Sequence, residues 1–325
     1  MPALFHAQIA AKNERATKTG KPYLEAIFAD STGSLTLKAW ADHKQYQQLS
    51  DLKEGAGVAV EGKFTRNQWG LDGSPWAFSL LEESDLSALL AGDPATLERQ
   101  NRDYAEIEAL VSSLSDPRLA GLCSHFLTVF GDRFRRTAAA RKNHHARRGG
   151  LVEHVAQMMR SANAIAEVYP DLNRDLMLAG VLFHDCGKLW ENTYPENGFN
   201  QIHQIHGELL GHIPMGMELL NKLWRDLANS PEAESWKALE PSSELVRLHL
   251  LHLIASHHGT HEFGSPTLPR TPEAYALHYI DNLDAKYEML KDAYQSANEI
   301  APDILERRFP LPSNLVTPLP EISRE

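Results

Sequence analysis

The stretch "VLFHDCGKLWE", residues 181–191, sets His184 and Asp185 side by side in an apolar run and follows them with Lys188. A buried polar group left unpaired costs about 1–3 kcal/mol, so an imidazole and a carboxylate inside a core need partners. The chain around the doublet holds many candidates. Thirteen of its sixteen histidines lie between 144 and 278, which points to a site in the C-terminal part.

The hydrophobic period predicts five helices there. In "GGLVEHVAQMMRSANAIAEVYP" the apolar residues 151, 152, 155, 158, 159, 162, 165 and 166 recur every 3.6 positions, opened by Gly149-Gly150 and closed by Pro170. "DLNRDLMLAGVLFHDCGKLWE" reads as a second helix, apolar nearly all round towards its end and therefore central. "HGELLGHIPMGMELLNKLW", "SSELVRLHLLHLIASHHG" and "TPEAYALHYIDNLDAKYEMLKDAY" are the third, fourth and fifth. Each carries a metal-capable residue near its interior face: His154, His184-Asp185, His212, His257-His258 and Asp281, in chain order. Imidazoles mixed with a few carboxylates suit Mn, Fe, Co, Ni or Zn. The set exceeds what a closed four-coordinate structural site requires. Such a surplus beside a lysine points to an open two-metal site for hydrolysis, built from facing helices. His203, His206, His249, His252 and His261 are read as structural.

Residues 1–80 read as β-structure. "SLTLKAW" and "PWAFSLL" alternate, "YLEAIFAD" and "GVAVEGKF" are β-rich, and "TKTGKP", "DSTGS", "KEGAG" and "LDGSP" are turns. Five short strands in this span predict a small barrel of the OB type. The chain is thus expected to be multidomain, with an N-terminal β-barrel before an all-α bundle. The tail after 300 has five prolines and is expected to be extended.

Bulk numbers narrow the class. At 42% hydrophobic and 23% charged, the chain is of globular composition. It lacks an apolar run of about 18 residues, and its start lacks a signal-peptide pattern, so no membrane association is expected. Two cysteines in 325 residues suggest a reducing compartment, hence the cytoplasm. The net charge of −11 argues against a protein coated for nucleic acid. One local exception is "RFRRTAAARKNHHARR", 133–148, with seven Arg or Lys and no acid.

The ordered set His154, His184-Asp185 and Asp281 resembles the His…His-Asp…Asp signature of HD-domain metal-dependent phosphohydrolases. "NHHARRGGLVEH", "AGVLFHDCGKLWE", "GELLGHI", "SHHGTHEFGSPTLP" and "LHYIDNLDAKYEM" resemble the successive motifs of the YhaM-type 3′-to-5′ exoribonucleases, which also carry an OB-fold before the HD domain. The resemblance spans about residues 1–290. It implies four segments: an OB-fold nucleic-acid-binding domain (1–85), a helical connector (86–135), the HD phosphohydrolase domain (136–300) and the tail (301–325).

The resemblance also implies roles. His154, His184, Asp185 and Asp281 hold a first metal, with Asp185 bridging. His212 and His257 complete a second site, where His258 replaces or supplements His257 and is also a substrate-binding candidate. Lys188 lies one turn after the doublet and offers a point charge to a phosphate oxygen. His144 and His145 meet the substrate backbone, and the 133–148 run lends a positive groove. Trp40, Phe64, Trp69 and Trp76, with Lys38, Lys63 and Arg66, are the candidates for gripping a strand, Trp69 foremost because "RNQWGLDG" reads as a loop. Cys186 departs from the aliphatic residue common at its position and is read as packing.

The implied activity is metal-dependent 3′-to-5′ hydrolysis of single-stranded RNA, with single-stranded DNA as a further substrate, giving nucleoside 5′-monophosphates. Two divalent ions are implied, manganese first and magnesium also admitted, and a homo-oligomer fits the family. The rivals are an HD phosphohydrolase of nucleotides or cyclic dinucleotides, and a single-stranded nucleic-acid-binding protein whose metal is structural. A di-iron oxygenase is more remote. Removing residues 1–85 separates the first two, since only the exonuclease needs them for long RNA.

Overall fold

A computed structural model of the chain describes residues 2–319, apart from 18, 68, 69, 143 and 202. The alternating segments form β1 (Pro2–Ala16), β2 (Pro22–Ala29), β3 (Ser34–Trp40), β4 (Gly57–Asn67) and β5 (Gly70–Leu80), with the short helix α1 (Tyr46–Asp51) between β3 and β4. In β3 the period-2 rule holds: Leu37 and Ala39 face inward, while Thr36, Lys38 and Trp40 face out. The strands make one antiparallel sheet in the order β3-β2-β1-β4-β5.

β1 serves both halves of this sheet. Residues 8–16 pair with β2 and residues 2–8 with β4, and the pairing with β2 shifts register between Ile9 and Ala11. Such a bulge bends its strand, and the sheet curls around Ile9, Phe28, Leu37, Val58, Val60 and Phe78. The edge strands meet through side chains. Trp76 Nε1 donates to the Lys38 carbonyl at 3.3 Å, and the His43 ring lies 4.7 Å from the Trp76 ring. Among the described residues no ladder joins β3 to β5, so the expected OB-type domain is an OB-like sheet left open along this seam.

Three helices follow: α2 (Glu83–Ala91), α3 (Pro94–Ser112) and α4 (Pro117–Phe134). α3 and α4 begin alike, with an Asp cap and a Pro in the first turn. Asp93 accepts from the Thr96 N–H, and Asp116 from those of Arg118 and Leu119. This stretch, expected as a connector, supplies Ile107, Leu122, Phe126 and Phe134 to the main helical core.

The site-bearing helices are α5 (Gly150–Val168), α6 (Arg174–Phe183), α7 (Lys188–Glu191), α8 (Ile205–Leu210), α9 (His212–Ala228), α10 (Ser243–Ser256) and α11 (Pro272–Ser296). Two of the expected helices are each broken in two. α6 stops at the doublet and α7 starts at Lys188; α8 and α9 are parted by Gly211, at φ +70°. The two breaks meet. Gly187 lies so close to the backbone of His212 that a Cβ would come within 1.9 Å of its carbonyl oxygen. That approach brings the start of α9 against the turn carrying Asp185.

The tail is extended and pairs with itself. β6 (Glu299–Ala301), β7 (Ile304–Leu305) and β8 (Leu315–Val316) form a small sheet, and Leu311 and Leu315 pack on Ala293 of α11. The two halves are tied through the 192–203 loop. Gln8 donates to the carbonyls of Gly55 and Asn197 and accepts from Phe199 N–H, while Phe199 packs on Ala10 and Ala29. Among the described residues no helix is long and apolar enough to cross a membrane.

Candidate metal centre

Five elements converge on Asp185. His154 comes from the second turn of α5, the doublet from the turn after α6, His212 from the first residue of α9, His257 from the end of α10, and Asp281 from α11. The two oxygens of Asp185 face different groups. Oδ2 lies 3.2 Å from His184 Nε2 and 3.8 Å from His154 Nε2. Oδ1 lies 3.5 Å from His212 Nε2 and 3.7 Å from His257 Nε2. Asp281 Oδ1 joins the first group, 3.4 Å from His154 Nε2. His258 stands beside the second; its ring is 5.1 Å from that of His212, and its Nδ1 donates to the Phe263 carbonyl. Of the adjacent histidines, His257 is the buried one that faces Asp185, and His258 lies at the rim.

The chemistry of the donors fits divalent metal ions. Asp185 Oδ1, His212 Nε2 and His257 Nε2 are buried and have no hydrogen-bond partner. Unpaired buried atoms of this kind call for a cation. His184 and His257 donate Nδ1 to the carbonyls of Val181 and Ile254, both at 2.7 Å, which leaves Nε2 as the lone-pair nitrogen. Burial holds the His257 imidazole neutral by pushing its pKa well below the usual range. Burial also disfavours charge on Asp185, but Lys188 and His184 outweigh it and keep the carboxyl far below the ordinary carboxylate range. His154 shows the same negative field. Despite burial, Asp281 and Asp284 push its imidazole up to about 9.

Lys188 opens α7 with its Nζ 2.6 Å from Asp185 Oδ2, so its ammonium lies inside the cleft. His144 is half-buried; burial and Lys188 push its ring down to about 4, so it is neutral near pH 7. His145, expected at the substrate, is instead fully enclosed and donates Nε2 to Asp284 Oδ2 at 3.0 Å. Four arginines of the basic run are also directed inward. Arg133 donates to the Leu189 carbonyl, Arg136 to that of Tyr194, and Arg148 to those of Pro195, Glu196 and Gly198, while Arg147 pairs with Glu153 and Glu288. These guanidiniums pin loops and are not free to line the expected groove.

In the N-terminal domain, Phe64 and Trp76 are core residues, and Trp40 is 47% exposed. Trp69 and the side chain of Arg66 lie outside the described residues. Sequence reasoning assigned no role to Asp284 or Glu191. Asp284 accepts from His154 Nδ1 at 2.6 Å, and Glu191 from His212 Nδ1 at 3.0 Å. A signal existed for the first: Asp284 follows Asp281 by one helical turn in "IDNLDAK".

This helical fold with its His-Asp centre is that of an HD domain, and the model of the HD domain family matches residues 151–286. HD domains bind divalent metal. The chain is 33% identical over 281 residues to the 3'-5' exoribonuclease YhaM of Geobacillus sp. (strain WCH70), covering 85% of this chain and 80% of that protein. It is 33% identical over 291 residues to the protein of the same name from Bacillus subtilis (strain 168), covering 88% and 86%. To that of Bacillus pumilus (strain SAFR-032) it is 32% identical over 297 residues, covering 90% and 87%. The chain belongs to the YhaM family of HD-domain proteins.

Proposed function

We propose that this chain is a metal-dependent 3′-to-5′ exoribonuclease that hydrolyses single-stranded RNA to nucleoside 5′-monophosphates, with single-stranded DNA as a second substrate. The observation that carries the reading is the pair of donor sets on opposite oxygens of Asp185. His154, His184 and Asp281 would hold one ion, His212 and His257 another, and Asp185 would bridge them. When bound, such ions supply an acidified water as nucleophile and neutralise charge on the phosphoryl oxygens. His and Asp donors admit several metals, and manganese is our choice because this mixture suits it.

The remaining chemistry belongs to the chain. Lys188 Nζ, already donating to Asp185, has further N–H bonds to give a non-bridging phosphoryl oxygen as charge develops there. His144, neutral at pH 7, offers a hydrogen bond at the mouth of the cleft. Upstream nucleotides would lie on the OB-like domain. A groove of about 1370 Å³ there is lined by Leu4, Thr36, Lys38, Trp40, His43 and Lys63. Lysines beside an exposed indole suit a single strand, by backbone attraction and base stacking. We divide the chain as residues 1–85 for the strand, 136–300 for hydrolysis, and 86–135 as their structural bridge. Two buried free thiols, Cys123 and Cys186, fit the reducing cytoplasm in which RNA turns over.

The test uses protein stripped with chelator, reloaded with Mn²⁺, Mg²⁺ or nothing, and given 5′-labelled single-stranded RNA. A metal-dependent ladder shortening from the 3′ end is expected. RNA left intact under every metal would refute the exonuclease.

A further inference from the structure

Four imidazoles aim Nε2 at Asp185, and they are held in two ways. His184 and His257 sit at the C-terminal ends of α6 and α10 and donate Nδ1 to the carbonyl three residues back. Carbonyls in a last helical turn lack ladder partners, so the backbone alone fixes these rings. His154 and His212 have no such carbonyl. The first lies in the second turn of α5, where preceding carbonyls are engaged; the second opens α9, and Gly211 at φ +70° parts it from the last turn of α8. Each finds a carboxylate instead. Asp284 Oδ2 takes the His154 proton at 2.6 Å, and Glu191 Oε2 takes that of His212 at 3.0 Å. A carboxylate is acceptor-only, so in the neutral ring that can bind a metal the proton must sit on Nδ1 and the lone pair on Nε2.

We propose that Asp284 and Glu191 are positioning residues, one behind each ion, that set the tautomer, angle and donor strength of His154 and His212. The proposal rests on the two-ion reading above. The two anchors differ in firmness. Asp284 is buried and also accepts from His145 Nε2 at 3.0 Å and from Gln157. His145 is fixed in turn, since its backbone takes the left-handed region at φ +46° and its carbonyl accepts from Ala139 N–H. Glu191 lies on a four-residue helix with its side chain 23% exposed. The ion at His154 is therefore the tightly held one and the ion at His212 the exchangeable one. His145 serves the metal site through Asp284, which accounts for a buried histidine so near the cleft.

The experiment is calorimetric titration of Mn²⁺ into full-length, chelator-stripped protein, with Asp284→Asn and Glu191→Gln compared. Partners behind a metal ligand are worth about 10- to 100-fold in metal affinity. Asp284→Asn is expected to weaken the tighter event by that factor and leave the weaker one, and Glu191→Gln to do the reverse. Melting in chelator should barely change for Glu191→Gln, and excess Mn²⁺ should restore kcat in either variant. A residue of merely structural role would move the melt and leave the metal affinity alone. Unchanged Mn²⁺ affinity in both variants would overturn the proposal. A wild-type protein that takes one Mn²⁺ refutes the two-ion reading instead, and positioning then requires that one variant weaken that ion. If Asp284→Asn does not fold, Glu191→Gln decides alone, because its side chain is partly exposed and its replacement keeps the shape.

Discussion

Asp185 and Lys188 pull the metal site in opposite directions, and substitution separates their parts. Among the described residues Asp185 is the one whose oxygens face both imidazole sets. Asp185→Ala should reduce RNA hydrolysis at least about 100-fold, the upper cost of losing a mere partner of a ligand; a gel assay at saturating Mn²⁺ checks this. Lys188 has another signature. Its ammonium competes with metal for Asp185 at 2.6 Å, yet in the reaction it faces developing negative charge. Lys188→Met keeps the stem and removes the cation. Mn²⁺ should then bind more tightly, while kcat falls by about 10²- to 10³-fold, the usual cost of losing one such donor. Metal binding and rate falling together would make Lys188 a structural residue. The candidate ligands were legible as residues because a His-Asp pair inside an apolar run has few other uses. The carboxylates behind them were not, because Asp284 and Glu191 look like ordinary helix-surface acids until the fold buries or turns them.

Helix positions were legible from period, and helix breaks were not. A 3.6-residue pattern runs on through the turn at 184–187 because the residues beyond it return to the same apolar face. The break depends on a contact 25 residues away in the chain, between Gly187 and the His212 backbone. Gly187→Ala tests its importance. A methyl group 1.9 Å from a carbonyl must push α9 away from the doublet. Overpacking of this kind costs about 1–3 kcal/mol, readable as a lower urea midpoint, and Mn²⁺ affinity should fall as His212 retreats. The start of α4 gives a pH test. Burial works against charge on Asp116, but its bonds to the Arg118 side chain and N–H outweigh that and hold its pKa below the usual value. A carboxyl with a lowered folded pKa contributes stability that is present above its unfolded value, about 3.9, and is lost as pH falls through the folded one. Asp116→Asn keeps the cap and removes the charge, so it should be less stable than wild type at pH 7. The difference should shrink below about pH 4 in urea titrations. Arg118 is almost wholly buried, which makes the neutral-pH loss measurable.

Over the whole molecule, the charge distribution sets where RNA can be held. The chain carries a net −11, and Arg133, Arg136, Arg147 and Arg148 of its most basic run are bonded to internal carbonyls and acids. A sequence shows the charge of such a run but not the loops that consume its donors, and this is why 133–148 read as a groove. The OB-like face is different. Trp40 projects from β3 between exposed Lys38 and the solvent, backed by Tyr23 at 4.9 Å between ring centroids. An aromatic backed by another ring loses little freedom when a base stacks on it, and stacking is worth about 1–3 kcal/mol per base. Trp40→Ala should thus raise KM for a long single-stranded RNA by about 5- to 150-fold. A dinucleotide held at the metal centre is expected not to need this face, so its hydrolysis should keep the wild-type kcat and KM. Equal loss on both substrates would mean that the substitution damages the fold. No loss on either would move the strand's path off β3 altogether, to the side of the helical domain where His144 and His258 lie beside the His-Asp centre. Steady-state kinetics on the two substrates decide among these outcomes, with Phe64→Ala, a core truncation, as the control for damage to the sheet.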